Sequence, residues 1–122
     1  TKGEKMSDLK KYEGVIPAFT PAMMTKEKLA GAGTCAGRIF IAKGVQGLYV
    51  NGSSGECIYQ SVKIASVVLE EVMAVAKGKL TIIAHVLQQH KDSVELARHA
   101  EELGVDAIAA IPPIYFRLQN TV

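Results

Sequence analysis

Three glycines, Gly44, Gly78 and Gly104, each close a helix-like stretch and stand just ahead of a short apolar run. Glycine past the end of a helix takes up the left-handed conformation that caps it, so each of the three marks a helix stop. The runs that follow, at residues 45–50 (VQGLYV), 80–86 (LTIIAHV) and 106–111 (DAIAAI), suit strands buried on both faces. A fourth run at residues 13–19 (EGVIPAF), bounded by Gly14 and Pro17, supplies a strand ahead of the first helix. The order is four strands with three intervening helices. Such alternation builds a parallel sheet, and right-handed crossovers place the helices on one side of it.

The helices differ in quality. Residues 61–77 carry Ala65, Val68, Leu69, Val72, Met73 and Ala76 at three- and four-residue spacing, a stripe expected to face the sheet. Ser61 is placed to cap this helix, but Ile64 stands where a carboxylate would complete a capping box. Residues 26–43 contain Gly31, Gly33 and Gly37, each costing about 1 kcal/mol relative to Ala in a helix interior, so the firm part is expected at 35–42. The spacing of GAGTCAG there is G-x-G-x-x-x-G with no strand ahead of it, which fails the dinucleotide fingerprint. The third helix is expected to be capped by Asp92 with Glu95 and to turn Val94, Ala97, Ala100 and Leu103 inward. Pro112-Pro113 ends the last strand. Residues 1–12, polar and lysine-rich, read as a disordered lead-in to one partial domain at 13–122.

Composition narrows the function classes. With 48% hydrophobic and 21% charged residues the chain is ordinary for one soluble globular unit. A net charge of +2, scattered lysines and no Trp give no basic stripe, so nucleic acid is not indicated. Apolar runs are too short to span a bilayer, so no membrane partner is expected. Cys35 and Cys57 lack metal or disulfide spacing and read as thiols in a reducing cytoplasm. His85, His90 and His99 have no Cys or carboxylate at metal-ligand spacing, so neither a metal nor a cofactor is expected.

The stretch with chemistry in it is GLYVNGSSGECIY at residues 47–59. An apolar run stops at Asn51-Gly52, two hydroxyls follow at Ser53 and Ser54, and Gly55-Glu56 leads toward a helical pattern. Backbone N–H groups and serine hydroxyls presented together suit a small carboxylate or phosphate. Ser and Gly also favour plain turns for conformational reasons alone, and both readings stand at this point. Glu56 reads as a carboxylate serving the positive end of the following helix dipole. His85 reads either as a polar group lining a site or as a packed histidine bonded to neighbouring backbone, with the second preferred.

GLYVNGSSGE, KLTIIAHV at residues 79–86 and GVDAIAAIPPIYF at residues 104–116 together resemble the N-acetylneuraminate lyase branch of the Schiff-base, pyruvate-dependent aldolases, relatives of dihydrodipicolinate synthase. His85-Val86 favours the lyase branch, since dihydrodipicolinate synthases usually carry Gly-Thr there. The resemblance implies the N-terminal half of a (β/α)8 TIM barrel, a fold of typically ~250 residues. It implies that Ser53 and Ser54, backed by Gly52 and Gly55, hold the pyruvate carboxylate, and that Tyr115 is a catalytic proton relay reaching across a subunit interface. The family's reaction is retro-aldol cleavage of N-acetylneuraminate to N-acetylmannosamine and pyruvate through a lysine iminium that acts as electron sink. That lysine belongs to the sixth strand, beyond Val122.

None of the eleven lysines here sits at a strand's carboxyl end in an apolar setting; Lys91 alone is on that side, in a polar loop. The chain is therefore expected to bind pyruvate or a sialic acid weakly and to be inactive alone, as part of a homo-oligomer, the family tetramer, or with a missing C-terminal half. Two alternatives remain: a non-catalytic half-barrel that self-associates or pairs with a C-terminal half, and a dihydrodipicolinate synthase-like fragment. The runs at residues 20–40 and 87–91 depart from the family pattern.

Overall fold

The computed structural model describes residues 6–20, 32–86 and 90–111. A 3-10 helix at Met6–Tyr12 comes first, followed by α1 (Ala32–Ala42), β1 (Gly47–Val50), α2 (Val62–Ala76), β2 (Thr81–His85), α3 (His90–Leu103) and β3 (Ala107–Ala109). The strands form one parallel sheet in the order β1-β2-β3. The register places Gly47 opposite Thr81 and Val50 opposite Ala84, then Ile83 opposite Ala107 and His85 opposite Ala109.

Side chains alternate across a strand, which sorts the sheet into two faces. Leu48, Val50, Ile82 and Ala84 point to the helix side, where they form one buried core with Val68, Leu69, Val72, Met73 and Ala76 of α2 and Ala100 of α3. Each of the larger aliphatic side chains stabilises the fold by roughly 1.5–3 kcal/mol through burial. All six residues expected on the inner stripe of α2 are buried. Ser61 caps this helix, its hydroxyl accepting from the Ile64 N–H at 3.3 Å, and no acidic residue lies in the first turn.

Three expectations need correction. Residues 13–19 run parallel beside β1 but make only an isolated bridge, Ala18 to Tyr49. The N–H groups of Gln46, Tyr49 and Phe19 donate to Val15, Pro17 and Tyr49 carbonyls at 2.9, 2.9 and 2.8 Å. Pro17 has no N–H for a ladder, and Gly14 takes φ +123°, outside the strand region, so the segment holds a strand's place without a strand's regularity. Met6–Tyr12, read as disordered, is helical because its last residues are tied to the sheet: the Lys11 carbonyl accepts from Thr81 Oγ1 at 2.8 Å and from Gln46 Nε2 at 3.1 Å.

The third correction concerns α3. It begins at His90, so Asp92 lies inside its first turn, and Leu96 rather than Val94 is buried. Val94 is 41% exposed and, with Ala97, Arg98, Glu101, Val105 and Ile108, lines an open groove of about 420 Å³ beside β3. Gly37, inside the stretch of α1 expected to be firm, offsets its propensity cost with a packing role: a Cβ there would lie 2.7 Å from Val75 Cγ2, so the glycine lets α1 approach α2 closely. Among the described residues no helix is long and apolar enough to cross a membrane.

Candidate active site

The carboxyl ends of parallel strands are where side chains and loops can converge on a ligand without belonging to the sheet's hydrogen-bond ladder. At the end of β1 the chain leaves the strand through Asn51, which takes φ +61°. Gly52 returns to extended backbone and opens a 3-10 turn at Ser53–Gly55; Glu56, at φ +57°, separates it from a second, Cys57–Tyr59. Helix α2 begins only at Val62. Glu56 is thus exposed in a left-handed turn ahead of the helix, and its expected service to the helix dipole does not hold.

The loop is wound on its own backbone. The Gly52 carbonyl accepts from Gly55 N–H at 2.9 Å and from Cys57 N–H at 3.4 Å, and the Ser53 carbonyl accepts from Glu56 N–H at 2.9 Å. From the far end, the buried Gln60 side chain donates through Nε2 to the Gly55 carbonyl. Ser53 and Ser54 are exposed. Among the described residues, no protein acceptor takes their amides and no partner takes their hydroxyls. The turn therefore presents two N–H donors and two hydroxyls to an incoming ligand.

Beneath the loop lies an aromatic pair. A Cβ on Gly52 would fall 2.6 Å from Tyr49 Cε1, so only glycine lets the chain cross the Tyr49 ring. That ring packs tilted against His85 on β2, centroids 5.8 Å apart. His85 is 3% exposed, and its Nδ1 lies 3.2 Å from the Asn51 carbonyl; since a carbonyl only accepts, Nδ1 carries the proton. Burial lowers the His85 pKa, with the Asn51 carbonyl opposing, and the ring is held neutral. Burial likewise raises Tyr49, with a smaller contribution from Cys57, and raises the buried Cys57 thiol. His85 is thus the packed histidine bonded to backbone that its position in the chain suggests.

These features sit in a chain that matches the dihydrodipicolinate synthetase family over residues 11–121. The chain belongs to that family. It is 59% identical over 119 residues to an N-acetylneuraminate lyase of Mediterraneibacter gnavus, across 96% of this chain and 38% of that protein. Among solved structures, a catalytic lysine mutant of a Ruminococcus gnavus sialic acid aldolase superposes with a TM-score of 0.84 at 61% identity, covering 91% of this chain and 37% of that one. An N-acetylneuraminate lyase from Mycoplasma synoviae gives 0.78 at 34% identity, covering 88% and 38%. The chain spans about two fifths of the length of these relatives. Its α/β sheet with three helices is the N-terminal portion of their TIM-barrel fold.

Within this member of the dihydrodipicolinate synthetase family, Gly52, Ser53, Ser54 and Gly55 form one turn at the end of β1, beside His85 at the end of β2. Tyr115 lies outside the described residues, as do residues 21–31 and 87–89 of the two divergent runs. Lys91 is exposed in the first turn of α3 and lines an open groove with Ser66, Val94, Glu95, Arg98, His99 and Glu102 rather than a desolvated pocket. Among the described residues no group of three His, Cys, Asp or Glu is arranged to hold a metal. Two residues of the site escaped the sequence reading: Asn51, signalled only as a strand stop, and Gln60, for which no signal exists.

Proposed function

We propose that this chain is the N-terminal portion of an N-acetylneuraminate lyase-like, pyruvate-dependent aldolase, and that its Ser53–Ser54 turn is the cradle for the pyruvate carboxylate. The observation that carries the reading is the set of donors without a partner among the described residues, two amides and two hydroxyls, held at the carboxyl end of a parallel strand. A carboxylate accepts several such bonds at once, each stronger than a neutral pair because the acceptor is charged. Gly52 and Gly55 support the cradle by keeping its backbone close to Tyr49 and to Gln60. Tyr115 takes the proton-relay role by resemblance. The Schiff-base lysine is supplied by sequence beyond Val122, and the chain alone turns over no sialic acid. The reaction comes to this chain from its relatives' names and from the resemblance, assembly into a homo-oligomer from the resemblance alone, and the cytoplasmic setting from the reading of Cys35 and Cys57 as thiols.

The test is a titration of the isotope-labelled chain with pyruvate, followed through the backbone amides, with pyruvamide as the uncharged control. The expected result is saturable movement of the Ser53 and Ser54 amides with pyruvate and little with the amide. Equal movement with both, or none, removes the carboxylate cradle. Borohydride added to the same sample leaves the chain without a pyruvate adduct; a single adduct on Lys91 would instead make the chain a competent nucleophile.

A second reading is favoured by a different observation. Ile108 of β3, 52% exposed, and Val15 beside β1 present apolar surface at both edges of the sheet. A half-barrel that pairs with another copy or with a C-terminal half would cover both. Light scattering across a concentration series separates the two: a monomer throughout removes self-association.

A further inference from the structure

We propose that Asn51 is a positioning residue, setting the Ser53–Ser54 turn by tying the ends of β1 and β2 to the first turn of α2. The proposal rests on the carboxylate reading of that turn for its function, though not for its structural content. Asn51 is 3% exposed and is engaged in two directions. Its side-chain Nδ2 donates to the Ala65 carbonyl of α2 at 2.9 Å, and its own carbonyl accepts from His85 Nδ1. The next peptide carbonyl, that of Gly52, is the acceptor on which the turn is wound. The orientation of the Asn51 backbone is therefore passed directly to the turn.

The φ of +61° explains why the residue is Asn. Of side chains carrying an N–H donor, the short amide of Asn enters the left-handed region most readily. Glycine would satisfy the backbone and forfeit the bond to Ala65; alanine would forfeit both; aspartate keeps the shape but turns an acceptor toward the Ala65 carbonyl. These substitutions separate the backbone requirement from the side-chain tie.

The experiment compares the 122-residue chain with Asn51→Gly and Asn51→Asp by amide hydrogen exchange without ligand, by thermal melting, and by pyruvate titration at the Ser53 and Ser54 amides. In both variants, exchange at the hydrogen-bonded amides of Gly55, Glu56 and Cys57 is expected to rise about ten-fold or more, the magnitude of one lost hydrogen bond. Exchange in β2 of Asn51→Gly stays at the wild-type value, its melting temperature falls only by the few degrees that one buried hydrogen bond carries, and its pyruvate affinity falls about ten-fold. Wild-type exchange at the Gly55, Glu56 and Cys57 amides in Asn51→Gly overturns the proposal. So does a rise in β1 and β2 as large as that in the turn, which would make Asn51 a general structural residue. If wild-type protein shows no pyruvate-dependent shift, the carboxylate reading fails, and the exchange comparison still decides whether Asn51 sets the turn.

Discussion

The two ends of the parallel sheet are built from similar residue types put to opposite use. At the amino end, polar side chains are joined to one another and to backbone. Tyr12 donates to the Asp106 carbonyl at 3.0 Å, Asp106 Oδ2 accepts from Ile82 N–H at 2.9 Å, and Gln46 and Thr81 both donate to the Lys11 carbonyl. At the carboxyl end, Asn51, Gln60 and His85 likewise bond to backbone, but what they hold in place is a turn whose Ser53 and Ser54 donors meet no partner among the described residues. Closure at one end gives stability; at the other, polar groups are fixed without being satisfied. In a barrel fold the carboxyl end is where ligands are met.

The substitution expected to break this contrast most strongly is Gly52→Val. Its Cβ would meet Tyr49 Cε1 at 2.6 Å, and the branched side chain leaves no direction of relief. Overpacking of this kind costs typically ~1–3 kcal/mol, and here either the turn or the Tyr49 ring must move. Urea unfolding should show the loss, and pyruvate-dependent shifts at Ser53 and Ser54 should vanish with it. Asp106→Ala is the counterpart at the other end. It leaves the buried Ile82 N–H without its acceptor, a loss of roughly 1–2 kcal/mol, while the pyruvate response of the surviving folded protein stays as in the wild type. Equal damage to binding from both substitutions would show that the two ends are not separable.

How far these features were legible in the sequence follows the range of the interactions. The inner stripe of α2 was readable because burial repeats within the helix itself, and all six residues are where periodicity puts them. The stripe of α3 was misassigned at Val94, since two apolar sets run along that helix and only packing against α2 and the sheet selects Leu96. The helical form of Met6–Tyr12 could not be read locally, because its anchor is Asp106, 94 residues further on from Tyr12. The Ser53–Ser54 turn was legible as a motif. The left-handed Asn51 and the clamp by Gln60 were not, since both depend on carbonyls whose direction is set by the tertiary fold.

Acid sharpens the contrast further. The His85 pKa is lowered from its ordinary 6.5 by burial, so the unfolded chain binds the proton more readily than the folded one. The neutral ring's contribution is therefore fully present above about pH 6.5 and is lost as pH falls through the lower, folded value. Chemical unfolding measured from pH 8 downward should show a decline that begins near this point, and the portion due to the ring should be absent from His85→Gln. Protection of the Gly55, Glu56 and Cys57 amides should fall over the same interval, because a local opening that hydrates His85 becomes easier once the open form binds the proton, although Nδ1–H of the charged ring still donates to the Asn51 carbonyl; protection at the amino end should not respond.

The smallest effect is expected at Lys11, and it tests what holds the amino end together. Its ammonium lies 3.6 Å from Asp106 Oδ1 and 5.1 Å from the centre of the Tyr12 ring, with both members of the ion pair partly in solvent. An exposed pair of this kind contributes little, because water and salt screen it and two long side chains must be ordered to make it. The backbone carbonyl of the same residue is the group that accepts from Gln46 and Thr81, and Lys11→Ala leaves it in place. The variant should therefore unfold at a urea midpoint indistinguishable from the wild type at physiological salt. Thr81→Val, which keeps the side-chain shape but deletes the donor to that carbonyl, should be the more damaging of the two. A reversed order would mean that the amino end is held by charge, and raising the salt concentration would then weaken the wild type but not Lys11→Ala.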